Sequence, residues 1–449
     1  MTQSALIEKY NTSAPRYTSY PTVPYWDNNS FTEAQWKESF IRTYKNQKKL
    51  SLYIHLPFCE SLCTFCACHK RITINHQFEV PYIEAVLREW HMYRSLLKEA
   101  PEIEEIHLGG GTPSFFSSEN LKELIEGILS GSKVSPTHEF SFEGHPNNTT
   151  ETHLQTLYDL GFRRVSFGVQ DYDHVVQVAI NRLQPFENVK KVTELARKIG
   201  YTSISHDLVY GLPFQNIEQF EKTIKKTIEL SPDRLSLYSY AHVPWLKGNG
   251  QRGFDENNLP SAAVKRQLYE LGRMIFEANG YTEVGMDHFA RPTDSLFKAA
   301  KDGSLNRNFM GYTTSQSKCM LGLGVSAISD SWTALSQNTK SLDEYIHLTK
   351  NHIFPLLRGH IQSETDMLWR NYIQNLMCRF ETDFSSNDLN QEQIQQLLEL
   401  QEDGILVLAD NKVRVTEEGR AFIRNVCTVF DKYIRPTGSV ITNTFSKAI

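Results

Sequence analysis

The stretch Ser51-Leu52-Tyr53-Ile54-His55-Leu56-Pro57-Phe58-Cys59-Glu60-Ser61-Leu62-Cys63-Thr64-Phe65-Cys66-Ala67-Cys68 joins an apolar run to a cluster of thiols. Residues 51–56 read as a β-strand, and the thiols occupy the loop that follows it. Similar runs recur at 104–108, 139–143, 163–169, 203–210 and 234–240. Amphipathic helical patterns lie between or after them, at 82–97, 118–129, 151–160, 187–199, 217–230 and 262–278. Strand and helix alternating in this way predict right-handed βαβ units and a parallel sheet. Six units with motifs at the C-terminal ends of the strands point to an α/β fold, a partial (β/α)6-type barrel. In such barrels the active site lies at the strands' C-terminal face. A doubly wound open sheet is the alternative, because alternation alone does not establish closure.

The flanks read differently. Residues 1–49, dense in Tyr, Pro and Trp, show no clear periodic element. Pro15-Arg16-Tyr17-Thr18-Ser19-Tyr20-Pro21 reads as an extended, aromatic-studded arm. The barrel is expected over 50–292, with a possible seventh strand at 281–285, and a connecting, barrel-completing segment over 293–362. Residues 363–449 are expected to form a C-terminal helical, winged-helix-like domain: helices at 366–380 and 391–401, then strands at 404–408 and 412–416 around Asp410-Asn411. This unit is not notably basic, so a packing or substrate-covering role is expected rather than DNA binding.

Composition narrows the class. With 449 residues, 40% of them hydrophobic, and a net charge of -5, general disorder is excluded. The near-neutral balance of 52 acidic and 47 basic side chains argues against a nucleic-acid partner. No apolar run approaches the ~18 residues of a transmembrane helix. The opening Met-Thr-Gln-Ser-Ala does not resemble a signal peptide, so a cytoplasmic protein with no membrane association is expected.

Four of the seven cysteines, Cys59, Cys63, Cys66 and Cys68, fall within ten positions; Cys319, Cys378 and Cys427 are scattered and read as buried structural residues. Thiolates this closely spaced suit a metal or redox site rather than a disulfide framework. Four of them would permit a closed zinc site, although structural zinc usually uses two separated knuckles. Cys-x3-Cys-x2-Cys lets three thiolates hold three irons of a [4Fe–4S] cluster, leaving one iron open to a small molecule. Gly109-Gly110-Gly111-Thr112-Pro113 follows the second strand. Its glycines would allow close ligand approach, with free N–H groups for a carboxylate; a tight turn is the plainer reading.

The Cys59–Cys63–Cys66 loop resembles that of radical S-adenosylmethionine (SAM) enzymes. With Tyr53-x-His55, Cys68 and the 15–21 arm, it resembles the oxygen-independent coproporphyrinogen III dehydrogenase (oxidase) family, from Arg16 to about residue 435. His206-Asp207-Leu208-Val209-Tyr210-Gly211-Leu212-Pro213, Gly285-Met286-Asp287-His288-Phe289-Ala290-Arg291-Pro292 and Gly311-Tyr312-Thr313-Thr314 carry the same resemblance. It implies a 5′-deoxyadenosyl radical that takes hydrogen from a substrate propionate. Loss of CO2 and an electron then leaves a vinyl group, and two propionates of coproporphyrinogen III react in turn to give protoporphyrinogen IX. A low-potential electron donor such as flavodoxin or ferredoxin, and a monomeric state, are also expected.

The resemblance further implies cluster ligation by Cys59, Cys63 and Cys66, and two bound SAM molecules. The positions matching the first SAM are Tyr53, Gly110, Glu143 and Ile328. Those matching the second are Phe65, Gly111, Thr112, Gln170, Arg182, Asp207 and Ala241. Tyr53, His55 and Cys68 are candidate catalytic residues, Cys68 near the cluster or substrate without ligating it. Arg16, Lys70, Arg71 and Arg291 are candidate cations for substrate propionates, and His288 and Tyr240 candidate proton partners. One position departs from the family pattern: Met310 stands where that pattern has glutamine, replacing a polar group near SAM by a thioether. A heme chaperone and a heme-ring-opening radical SAM enzyme are the alternative readings.

Overall fold

The structure is a computed structural model that describes residues 3–245, 250–251, 253–434 and 445–448. Six strands form its centre: β1 (Lys49–Leu56), β2 (Glu102–Gly110), β3 (Lys133–Gly144), β4 (Phe162–Gln170), β5 (Ser203–Tyr210) and β6 (Arg234–Ser239). Each pairs in parallel with the next. This sequential order rules out the doubly wound alternative, whose strand order reverses at a switch point. All crossovers step the same way, and the connecting helices pack against their sequence neighbours along the sheet. β1 is buried along nearly its whole length, as expected of a parallel strand covered on both faces. β6 does not pair back to β1, so the barrel is partial.

The edges depart from the sequence reading. The proposed seventh strand at 281–285 shrinks to Thr282–Glu283, antiparallel to His288–Ala290, which is itself antiparallel to β6. The seventh parallel strand is instead β7 (Met320–Leu323), on the other side of β1 with Tyr53 opposite Gly322. Three antiparallel strands extend that edge: β8 (Ile328–Asp330), β9 (Ala334–Asn338) and β10 (Leu356–Ile361).

The first 49 residues also contain more order than their sequence suggested. Glu33–Gln47 is a helix, started by a capping box in which Thr32 and Gln35 satisfy each other's backbone N–H groups. Its spacing of four brings Trp36, Phe40 and Tyr44 onto one buried face. Fully burying a side chain such as Phe40 contributes roughly 2–3 kcal/mol.

At the other end, helices Glu364–Arg379 and Gln391–Glu402 pack with a three-stranded antiparallel sheet in a winged-helix-like arrangement. Ile7, Tyr17 and Tyr20 belong to its hydrophobic cluster. Arg424 ties the two termini together, donating to the carbonyls of Ala14 and Pro15 and to those of Ser446, Lys447 and Ala448. No helix of the described residues is long and apolar enough to cross a membrane.

Candidate active site

A cavity of about 1020 Å3 opens at the C-terminal ends of the six central strands. Its wall brings together Cys59, Cys63, Phe65, Cys66 and Cys68 after β1, and Gly110, Gly111 and Thr112 after β2. Glu143 of β3, Gln170 and Arg182 at and after β4, and Asp207 of β5 complete the expected set on this wall. Tyr53, His55, Ala241 and Ile328 do not line it.

The thiol loop is clamped from the segment after β4, a constraint the sequence did not reveal. Thr64 donates its backbone N–H to Ile180 and its hydroxyl to Ala179, while the Asn181 amide donates to the Leu62 carbonyl at 2.8 Å. Thr112 donates to Cys59 Sγ at 3.4 Å, and Arg182 lies 3.8 Å from Cys63 Sγ with its buried Nε unpartnered. Burial pushes the Cys59 thiol up to about 11. A hydrogen bond from Cys68 brings Cys66 down to about 6 despite burial, with Lys70 and Arg182 adding positive charge. Cys68 correspondingly keeps its proton.

Among the described residues, no three His, Cys, Asp or Glu side chains close around a single ion, unlike a four-thiolate zinc site. Three soft donors on one loop, with hydrogen-bond donors already aimed at two of the sulfurs, fit a [4Fe–4S] cluster.

The glycine run works differently from the reading of its sequence. Its N–H groups are not free: Gly110 donates to Glu143 at 3.4 Å, Gly111 to the Leu56 carbonyl at 2.8 Å and Thr112 to the Phe58 carbonyl at 2.9 Å. A Cβ on Gly110, at φ +112°, would stand 2.6 Å from His55 Nδ1; one on Gly111 would stand 2.6 Å from the Pro57 carbonyl carbon. The glycines therefore let the β2 loop lie flush against the thiol loop, rather than presenting N–H groups to a ligand.

Two carboxylates face the cavity with opposite tendencies. Burial would raise Glu143, but the hydrogen bond and charge of His107 and the Gly110 N–H outweigh it and hold the group below the usual range. Asp207 is pushed up to about 6 by burial, with Ser166 and Ser236 donating to it in partial compensation. Gln170 ends β4 at φ +65°, a left-handed conformation uncommon for a non-glycine residue. Gly168 makes room beside it, since a Cβ there would meet Gln170 Nε2 at 2.6 Å and the Arg182 guanidinium at 3.0 Å.

Tyr53 and His55 form a buried pair behind the glycine loop. His55 Nε2 must donate to the His69 carbonyl at 3.0 Å, leaving Nδ1 to accept from the Tyr53 hydroxyl, also at 3.0 Å. Burial lowers His55 to about 4, so the ring is neutral. Tyr53 stacks on His107 and meets Phe309 edge-on. Ile328, packed with Phe309, crosses Gly322 of β7, the register partner of Tyr53. Tyr53, Phe309 and Ile328 thus make an apolar corner beside the cavity. Met310 adjoins it at the turn between Asn306–Asn308 and Gly311–Thr313. Ala241 is linked to Phe65 by Gln251, whose amide donates to both carbonyls.

The expected propionate cations separate. Arg16 pairs with Asp287 at 3.0 Å and reaches the Ser239 carbonyl at the C-terminal end of β6. Lys70 is held by the Cys66 and Cys68 carbonyls, and Arg71 lies over the Phe78 ring. Arg291 bonds to the backbone of Pro232 and Asp233, which precede β6, so it belongs to the opposite end of the barrel from the cavity. The antiparallel direction of His288–Ala290 carries it there. His288 is half-buried, bonded to the Met286 carbonyl and to Tyr238, and Tyr240 bonds to His242. Tyr238, His107, His145 and Ser166 are site groups the sequence reading missed; inward alternation on the barrel strands was the available signal for His107 and Ser166.

Comparison with known proteins agrees with this geometry. Residues 53–227 match the Radical SAM superfamily. The oxygen-independent coproporphyrinogen III oxidase of Helicobacter pylori is 38% identical over 444 residues, covering 96% of each chain. That of Escherichia coli K12 is 37% identical over 442 residues, covering 96% of this chain and 95% of the relative. The solved structure of coproporphyrinogen III oxidase from Escherichia coli, described as a radical SAM enzyme, superposes with a TM-score of 0.89 at 35% identity. It covers 96% of this chain and 99% of that one. With such identity along nearly its whole length and a shared architecture, the chain belongs to the oxygen-independent coproporphyrinogen III oxidase family of radical SAM enzymes.

Proposed function

We propose that this chain converts two propionates of coproporphyrinogen III to vinyl groups without oxygen, giving protoporphyrinogen IX in heme biosynthesis. Each propionate loses a hydrogen atom, CO2 and one further electron. The observation that carries the reading is the convergence of three cluster-spaced thiols with Glu143, Gln170, Arg182 and Asp207 on one cavity at the strand ends. When bound, the cluster supplies the electron that cleaves SAM to a hydrogen-abstracting radical.

The side chains would divide the remaining work. Cys59, Cys63 and Cys66 hold the cluster, with Thr112 and Arg182 donating to their sulfurs. Tyr53, Gly110, Glu143 and Ile328 form the site of the first SAM, and the ionised Glu143 suits its ammonium or ribose hydroxyls. Phe65, Gly111, Thr112, Gln170, Arg182, Asp207 and Ala241 form the site of a second. Arg16, joined to the arm, suits a substrate propionate, while the arm and C-terminal domain shelter the site. A low-potential flavodoxin or ferredoxin would supply electrons to a cytoplasmic, monomeric enzyme.

Anaerobic incubation of reconstituted protein with coproporphyrinogen III, SAM and a low-potential reductant tests the reading. Protoporphyrinogen IX and CO2 are expected; heme transfer without them, or a linear tetrapyrrole, would overturn it. In the same assay Cys68→Ser is expected to keep its iron and sulfide but lose vinyl product. A missing cluster would instead make Cys68 a ligand.

The second SAM should be pH-sensitive. Asp207 is ionised above about 6 and loses its charge below, and with it the attraction for a sulfonium or ammonium. Binding at that site should weaken about tenfold per pH unit below this point. Glu143, held low, keeps the first site occupied. Anaerobic SAM titrations at pH 5 and 7.5 should therefore show the second binding step about tenfold weaker at pH 5 and the first unchanged, and a second step of equal affinity at both would remove Asp207 from the site.

A further inference from the structure

Glu89 is fully buried on the helix Glu79–Ser95, outside the barrel, and no step of the proposed reaction uses it. Its carboxylate accepts three hydrogen bonds: from the Gly324 N–H at 2.9 Å, the Tyr345 hydroxyl at 2.5 Å and the Asn338 amide at 2.7 Å. Asn338 also donates to the Gly324 carbonyl at 2.9 Å, so both polar groups of Gly324 are held. Gly324 opens the turn between β7 and β8, at the same end of the sheet as the thiol loop.

The turn is sterically committed. Gly324 has φ +103°, and a Cβ there would stand 2.5 Å from the Tyr82 hydroxyl and 2.7 Å from the His55 carbonyl oxygen. Ser326 is also left-handed, at φ +61°. Tyr82, from the same helix as Glu89, accepts from the Val325 N–H and donates to the His55 carbonyl at 2.6 Å. One helix therefore grips two segments at once: the turn that leads into Ile328 and the end of β1 that carries Tyr53 and His55. Those segments meet at the apolar corner of Tyr53, Phe309 and Ile328.

We infer that Glu89, with Tyr345 and Asn338, is a positioning residue that sets the Gly324–Ile328 turn against β1 and so shapes the apolar corner beside the cavity, which the first SAM would use. The inference rests on the proposed function, in which Tyr53 and Ile328 belong to the first SAM site. Burial pushes Glu89 up to about 7 against the pull of its three donors. A buried acid surrounded only by donors leaves no correct place for an amide, whose NH2 would face one of them.

Glu89→Gln tests it, read by anaerobic SAM titration of reconstituted protein together with its iron content and melting temperature. SAM affinity is expected to fall about tenfold with iron content unchanged. In turnover the KM for SAM should rise while kcat at saturating SAM stays near that of the wild type. Lower melting temperature with unchanged SAM affinity would mean a structural role only and overturn the inference. If Glu89→Gln does not fold, Tyr345→Phe, which removes a single donor, is read by the same criteria. A wild-type protein that fails to bind SAM would sink the proposed function itself, a result separate from any behaviour of these variants.

Discussion

Cys59→Ser is expected to abolish SAM cleavage and to reduce bound iron and acid-labile sulfide from about four of each per chain to background. Serine replaces a soft thiolate with a hydroxyl, which stays protonated and binds iron poorly. In the proposed site the loop would hold one cluster through three sulfurs, so losing one would leave two ligands from a single turn. Cys68 is not expected to take its place, because it lies beyond Cys66 and its thiol hydrogen-bonds to that sulfur. Thr112 would lose its sulfur acceptor as well. Iron and sulfide analysis after anaerobic reconstitution, with absorbance near the charge-transfer bands, measures the result. An unchanged cluster in Cys59→Ser would refute its ligand role. Replacing Cys319 or Cys427, buried in separate hydrophobic clusters, should leave cluster content alone.

What could be read in advance follows the range of the physics involved. Strand–helix alternation is local, so all six central strands could be placed from apolar runs and their intervening helices. The thiol loop was legible because its chemistry depends on sequence spacing. The helix at 33–47 carried a readable capping box, Thr32 to Gln35, but its aromatic and charged residues obscured the apolar stripe. β7 was invisible because four residues, two of them leucines, give no periodicity, and its place beside β1 is set by pairing across 269 positions in sequence. Arg291 was assigned to the site from its motif, whereas the direction of an antiparallel strand carries it to the far end. The clamp from Ile180 and Asn181 on the thiol loop, and the grip of Glu89 on Gly324, join segments remote in sequence and leave no local pattern.

The glycine run provides the sharpest separation between a loop that merely turns and one that is wedged in place. Gly111→Ala would put a methyl group 2.6 Å from the Pro57 carbonyl carbon, 2.7 Å from its oxygen and 2.8 Å from the Phe58 oxygen. These are backbone atoms, which cannot rotate aside as a side chain can. The same junction is closed by the bonds from Gly111 to Leu56 and from Thr112 to Phe58, so relief of the clash must stretch one or both. Overpacking of this kind costs about 1–3 kcal/mol, and each weakened bond adds about 1 kcal/mol. The larger effect is geometric, because the junction fixes Thr112 against Cys59 and the thiol loop against the cavity. A displacement of about 1 Å near a reacting centre costs roughly a hundredfold in rate, which is the loss of vinyl-forming activity expected here, accompanied by reduced cluster occupancy. Gly109→Ala is the matched control. Its methyl would first meet the Glu143 carboxylate, at 3.0 Å, the far end of a flexible side chain rather than backbone. That variant should retain its iron and weaken SAM binding through Glu143. Full iron content and wild-type turnover in Gly111→Ala would show that the two loops are free to separate, and that the site does not depend on their close contact.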